Sequence, residues 1–138
     1  MPFTGNFTCD VFKSGVLDGN FDFGAGTTNV FKIALYTNAA TLDQDTAAYT
    51  TVGEVVATGY TAGGNVLSPT LSILDGTAFI TFTNTSWTSA LTARGALIYK
   101  VGGAAVCVLD FGSDKISTTT FQVEFPAASN TSAIIRLS

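Results

Sequence analysis

Residues 95 to 112 read GALIYKVGGAAVCVLDFG, two apolar runs joined by Gly102-Gly103. A glycine pair takes up the positive φ angles of a two-residue hairpin turn at no steric cost, so the stretch predicts an antiparallel hairpin whose turn sets the register. In that register Val101 faces Ala104, Tyr99 faces Val106 and Leu97 faces Val108 on one side. On the other, Lys100 faces Ala105, Ile98 faces Cys107 and Ala96 faces Leu109. Both faces are apolar. A sheet in a two-layer sandwich has one inner face, so this hairpin demands a second cover from a helix, a loop or another subunit.

Period-two alternation, the spacing of a half-buried strand, recurs from residue 30 onward. VFKIALYT (30–37) puts Phe31, Ile33 and Leu35 on one face and Lys32, Ala34 and Tyr36 on the other. FQVEF (121–125) turns Phe121, Val123 and Phe125 inward, and SAIIRLS (132–138) turns Ala133, Ile135 and Leu137 inward with Arg136 outward. TAFITFTNT (77–85) is rich in the β-branched and aromatic residues that pack well on pleated surfaces. In VVATGYTAGGNVL (55–67), VVATGY reads as a short strand, Gly59 as a bulge and Gly63-Gly64 as a turn. The returning strand NVLSPTLSIL is interrupted by Pro69, which cannot donate to a ladder and so predicts an edge or a bulge. The one helix-like stretch is TCDVFKSGVLDG (8–19), with Thr8 as N-cap, Asp10 in the first turn, Phe12 and Val16 four apart, and Gly19 as the stop. No linker, charge run or fixed-period repeat divides the chain. The expectation is a single all-β domain over 1–138, a β-sandwich or jelly-roll-like body (30–138) preceded by an N-terminal arm with a short helix (1–29).

The totals narrow the function classes. Among 138 residues only 12% are charged and 46% are hydrophobic, with a mean hydropathy of +0.38, so some apolar surface is expected to meet a partner. Net charge is −4, and the six cations are scattered singly, so phosphate-tracking nucleic-acid binding is not expected. Cys9 and Cys107 lie far apart and form no CxxC pair; two buried thiols, rather than a disulfide framework or a zinc site, are expected. No stretch approaches the roughly 20 apolar residues of a membrane span. The opening MPFTGNFTCDVFK lacks a basic start followed by an apolar run, so the expectation is synthesis in a reducing cytoplasm without export.

The chain contains no histidine, which removes the usual proton shuttle, the Ser-His and Cys-His nucleophile arrangements and the commonest zinc ligand. Two carboxylates would suffice for a glycosidase, but the acids sit in turn-like contexts such as Asp43-Gln-Asp45 and Asp75-Gly, where Asp bonds its own backbone. Asp18-Gly-Asn20-Phe-Asp22 has the cadence of a calcium loop, yet Phe23 stands at the sharp-turn glycine and Asn29 at the bidentate Glu. Asp110-Phe111-Gly112 matches a kinase triplet in a chain too short for that fold and reads as a strand end. Trp87 is either core or a carbohydrate-stacking platform. No enzyme, cofactor or metal site is expected.

Taken in order, FKIALYTNAATLDQDTAAYTTVGEVVATGYTAGGNVL, WTSALTARGALIYK and VLDFGSDKISTTTFQVEFP resemble a family of small structural proteins encoded in tailed-bacteriophage genomes. The recurring pieces are Phe31 to Tyr36, Glu54, Gly59-Tyr60-Thr61-Ala62-Gly63-Gly64, Ala93 to Tyr99 and Asp110-Phe111-Gly112. The resemblance implies a virion component assembled in the host cytoplasm. The leading expectation is a capsid decoration (cement) protein that binds the major capsid protein across capsomer junctions and self-associates in closed symmetry, such as a trimer on a threefold site. A tail, adaptor or head-fibre component is the alternative within the virion. A carbohydrate-binding β-module, using Trp87 with Tyr36, Tyr49 or Tyr60, is the alternative outside it. Assembly contacts are expected at Phe3, Phe7 and Phe12 of the arm and at Tyr99 of the hairpin.

Overall fold

The computed structural model describes residues 5–125 and 134–137. In chain order the elements are β1 (Phe7–Thr8), α1 (Asp10–Asp18), β2 (Phe31–Tyr36), β3 (Asn65–Leu67), β4 (Pro69–Leu74), β5 (Thr77–Phe82), β6 (Thr85–Trp87), β7 (Thr92–Lys100), β8 (Ala105–Ile116), β9 (Phe121–Val123) and β10 (Ile135–Leu137). The fold is all-β and sandwich-like, with one short N-terminal helix among the described residues. The expected hairpin, β7 and β8, is the centre of a five-stranded sheet ordered β1-β8-β7-β2-β3, in which every pairing is antiparallel. A three-stranded sheet, β10-β5-β4, and the pair β6-β9 complete the body.

The hairpin register agrees with the sequence at Ala96–Leu109, Leu97–Val108 and Ile98–Cys107 but slips at the turn, where Tyr99 opposes Ala105 rather than Val106. The Lys100 amide donates to the Ala104 carbonyl at 3.0 Å and that of Gly103 donates back to Lys100 at 2.9 Å, leaving a three-residue loop, Val101–Gly103. The extra loop residue is absorbed as a bulge at Val106, the usual companion of a three-residue hairpin.

Both faces of the hairpin are covered from within the chain. Phe31, Ile33 and Leu35 share one face with Ala96 and Ile98 by direct pairing. There Phe31 stacks on Phe23 at 4.5 Å, Phe12 of α1 meets Phe21 edge-on at 4.8 Å, and Phe82 of β5 closes the group 6.4 Å from Phe31. On the opposite face Ala34 pairs with Leu97 and Lys32 with Tyr99. The long connection between β2 and β3 lies over it: Tyr49 stacks on Tyr99 at 4.8 Å, and Ala40 and Leu42 are buried in the same core. The side chains of β2 are therefore inward on both faces, apart from the half-buried Lys32.

Several local expectations change for identifiable reasons. Thr8 is drawn into β1 opposite Cys107, so Cys9 rather than Thr8 caps α1, while Gly19 ends the helix at φ 77° as expected. VVATGY is not a strand: Glu54 makes a single bridge to Tyr36, and β3 pairs with β2 instead of folding back across Gly63-Gly64. NVLSPTLSIL divides at Ser68, β3 joining the large sheet and β4 the small one, with Pro69 opening an edge strand. Asp75 and Gly76, at φ 52° and 79°, form the two-residue turn between β4 and β5. Asp110-Phe111-Gly112 lies within β8 and begins an irregularity, since the ladder jumps from Gly95–Asp110 to Ala93–Lys115. On β10, Ile135 is buried but Leu137 is 61% exposed, and Ala133 lies outside the described residues.

Candidate functional site

Glu54, the GYTAGG segment, Arg94 and Asp110, all within stretches singled out in the sequence, meet in two buried polar nodes. Glu54 is buried, with its carboxylate accepting from Tyr49 Oη and Tyr60 Oη at 2.6 Å each and from the Gly63 amide at 2.8 Å. Tyr60 Oη in turn accepts from the Leu35 amide at 2.9 Å, and Tyr99 Oη donates to the Gly63 carbonyl at 2.7 Å. The GYTAGG segment is thus fastened to β2 and β7 by three side chains. Its glycines are needed for close approach: a Cβ on Gly64 would overlap the Ile33 carbonyl oxygen, and one on Gly59 would overlap that of Thr88, both at positive φ. All four tyrosine phenols, of Tyr36, Tyr49, Tyr60 and Tyr99, are pushed up from their ordinary value, first by burial and then by the nearby Glu54 carboxylate. The node keeps its phenols protonated and its carboxylate supplied with donors, which makes it a tether.

The second node joins Arg94 of β7 to Asp110 of β8. The two form a buried ion pair through Nη1 and Oδ1, and the same carboxylate oxygen accepts from the Gly112 amide at 2.8 Å, shaping the irregularity in β8. Asn6 Oδ1 accepts from the Asp110 amide at 2.6 Å and ties the arm to this point. Both residues belong to pieces that stand out in the sequence, yet no local pattern shows that their charges meet. Opposite charges flanking a hairpin turn at matched distances were the available signal.

The residues expected at an assembly surface have other places. Phe12 and Tyr99 are 4% and 5% exposed, packed within the chain against Phe21 and Phe23 and against Tyr49 respectively, so neither side chain is presented. Phe7 is half-buried opposite Val108, and Phe3 lies outside the described residues. Trp87 is 4% exposed, lying 5.9 Å from Tyr60 and 6.4 Å from Phe121, and so offers no ring face for a sugar. Its buried Nε1 has no hydrogen-bond partner among the described residues. In the calcium-like stretch, Asp22 Oδ1 accepts from the Gly24 amide at 2.9 Å and Asn29 Oδ1 from the Asp22 amide at 3.0 Å, which is turn chemistry. Among the described residues no three acidic or thiol side chains gather as metal ligands.

Among the described residues, the fold leaves one apolar wall open. One face of the small sheet aligns Ile135, Ile80 and Leu71 in one row and Leu137, Ala78 and Ile73 in the next. The first row starts in the core, where Ile80 and Ile135 are buried; the other side runs out to Leu71, Ile73 and Leu137 at 51%, 74% and 61% exposure. Across from it stands α1 with Leu17 at 90% exposure, and the two walls enclose a groove of about 980 Å³ floored by Phe12, Phe21 and Phe23. Exposed apolar walls of this kind are surfaces on which interaction sites are built. Comparison of the chain with family models, curated proteins and solved structures finds no match.

Proposed function

We propose that the chain is a non-enzymatic structural subunit of a tailed-bacteriophage virion that decorates the head as a cement protein, bound to the major capsid protein and self-associating. The observation that supports this reading is the apolar surface left outside the core at Leu17, Leu71, Ile73 and Leu137, on a chain with only 12% charged residues. Such a surface suits a subunit that spends its life between others. At about 25 cal/mol per Å², a few hundred Å² buried per copy contributes several kcal/mol, multiplied over every copy on a shell under internal DNA pressure. The family-like residues support the same reading from inside, because Glu54 and the Arg94–Asp110 pair fasten loops to the sheet and stiffen a scaffold.

Immunogold electron microscopy of virions from a phage encoding this chain, with antiserum raised against it, tests the proposal. Even label over the head is expected. Label confined to the tail or to a vertex would transfer the protein to a tail, adaptor or fibre role, and no label on particles that do contain the major capsid protein would remove it from the virion.

A further inference from the structure

The outer edge of β4 points to a twofold contact with a second copy of this chain. Among the described residues β4 has a neighbour on one side only, β5. The Thr83 amide donates to the Ser68 carbonyl at 3.2 Å, so hydrogen-bonded pairs fall at alternate positions from there, at Thr70–Thr81, Ser72–Phe79 and Leu74–Thr77. The backbone N–H and C=O groups of Leu71 and Ile73 therefore point away from β5, toward the open side. Edge strands are ordinarily blunted by lysine, by an inward charge, by a bulge or by proline along their length. Residues 70–74, TLSIL, carry none of these, and Pro69 guards only the first position.

We infer that two copies pair antiparallel through β4, with Ser72 opposite Ser72 of the second copy on the twofold axis. In that register Leu71 of each copy exchanges both backbone hydrogen bonds with Ile73 of the other, and neither proline is asked to donate. The two small sheets become one six-stranded sheet, and Leu71 and Ile73 lie side by side across the new seam, continuing the apolar rows of β5 and β10. The side chains that this seam covers are Leu71 and Ile73, 51% and 74% exposed. The antiparallel register lets the same open edge serve as its own complement, which is what a second copy of the chain supplies. The contact is isologous and closes on two subunits, unlike the threefold closure expected from the sequence. It does not depend on the virion role, and immunogold labelling and solution mass report on the two separately.

Sedimentation velocity of the full chain at about 50 µM is the test, with three variants. The native chain is expected at twice 14.3 kDa, and Ile73→Lys at 14.3 kDa with an unchanged far-ultraviolet circular dichroism spectrum. Ser72→Cys, incubated with glutathione disulfide, is expected to yield an intermolecular disulfide with release of two glutathione thiols. Thr70→Cys, whose two copies are held about four residues apart in this register, is expected to yield none. The native cysteines do not compete, because burial raises the Cys9 thiol to about 11 and raises that of Cys107 as well. A monomeric or trimeric native chain, a dimer untouched by Ile73→Lys, or cross-linking of the Thr70→Cys variant rather than the Ser72→Cys variant would overturn the inference.

Discussion

Gly64 and Glu54 set narrow limits on what the GYTAGG segment tolerates. A methyl group on Gly64 meets the carbonyl oxygen of Ile33, a backbone atom of the central sheet that cannot rotate away, and the residue sits at φ 78° besides. Gly64→Ala is therefore expected to cost about 4 kcal/mol or more, read as a fall in the urea midpoint; a change under about 1 kcal/mol would mean that the loop is free to lift off β2. Glu54→Gln keeps the shape but sets an amide donor among groups that themselves donate, namely Tyr49 Oη, Tyr60 Oη and the Gly63 amide. A loss of about 2 kcal/mol is expected in the same measurement, the scale of hydrogen bonds to a buried charge. The tyrosines add a pH dependence whose sign follows from their raised pKa values. A phenol titrating higher in the folded chain than its ordinary 10 binds more protons folded than unfolded, so its contribution is intact below about pH 10 and is lost as pH rises beyond it. Phenolate absorbance should then rise in one step together with loss of circular dichroism; a gradual rise near pH 10 with the fold intact would show that the phenols are not held by the node.

At the scale of elements, the strand pair β7–β8 is held at its far end by Arg94 and Asp110. Removing one charge of a largely buried pair deprives the other of its opposite charge, so Asp110→Asn and Arg94→Met are each expected to destabilise by about 3 kcal/mol. Replacing both together should cost less than the sum of the two, and strict additivity in calorimetric unfolding would show that the side chains do not interact. How legible these elements are in the sequence depends on how local their determinants are. The β7–β8 register could be read from its glycine pair to within one residue, because a short turn dictates pairing, and the miss at Val106 is the bulge that a three-residue loop brings. The helix was legible from Phe12, Val16 and Gly19, apart from its cap, which a tertiary pairing of Thr8 displaced. VVATGY was not legible: its valines and tyrosine have strand propensity, but the Glu54 node, built from residues spread between positions 35 and 99, holds the segment in another conformation. The apolar wall was half legible. Leu71 and Ile73 alternate in plain view, yet only the division of the chain at Ser68 shows that they share a face of the small sheet, with Leu71 lining the groove beside α1.

The whole molecule combines an interior tied by buried hydrogen bonds with a set of apolar side chains left exposed. The aromatic group around Phe31 and the long connection over Tyr99 satisfy both faces of the central hairpin from within, so the second cover that its sequence demanded is supplied by the chain itself. Among the described residues, the apolar side chains left outside that interior include Leu71, Ile73 and Leu137 of the small sheet and Leu17 across the groove. The proposed cement role is tested most directly by the thermal rupture of DNA-filled heads, followed by dye access to the packaged DNA, in particles made without this chain and in the same particles after it is added back. Heads lacking the chain are expected to assemble and fill but to release their DNA at a lower temperature, with the original rupture temperature restored by the purified protein. An unchanged rupture temperature, with the protein present or absent, would contradict the head-stabilising role.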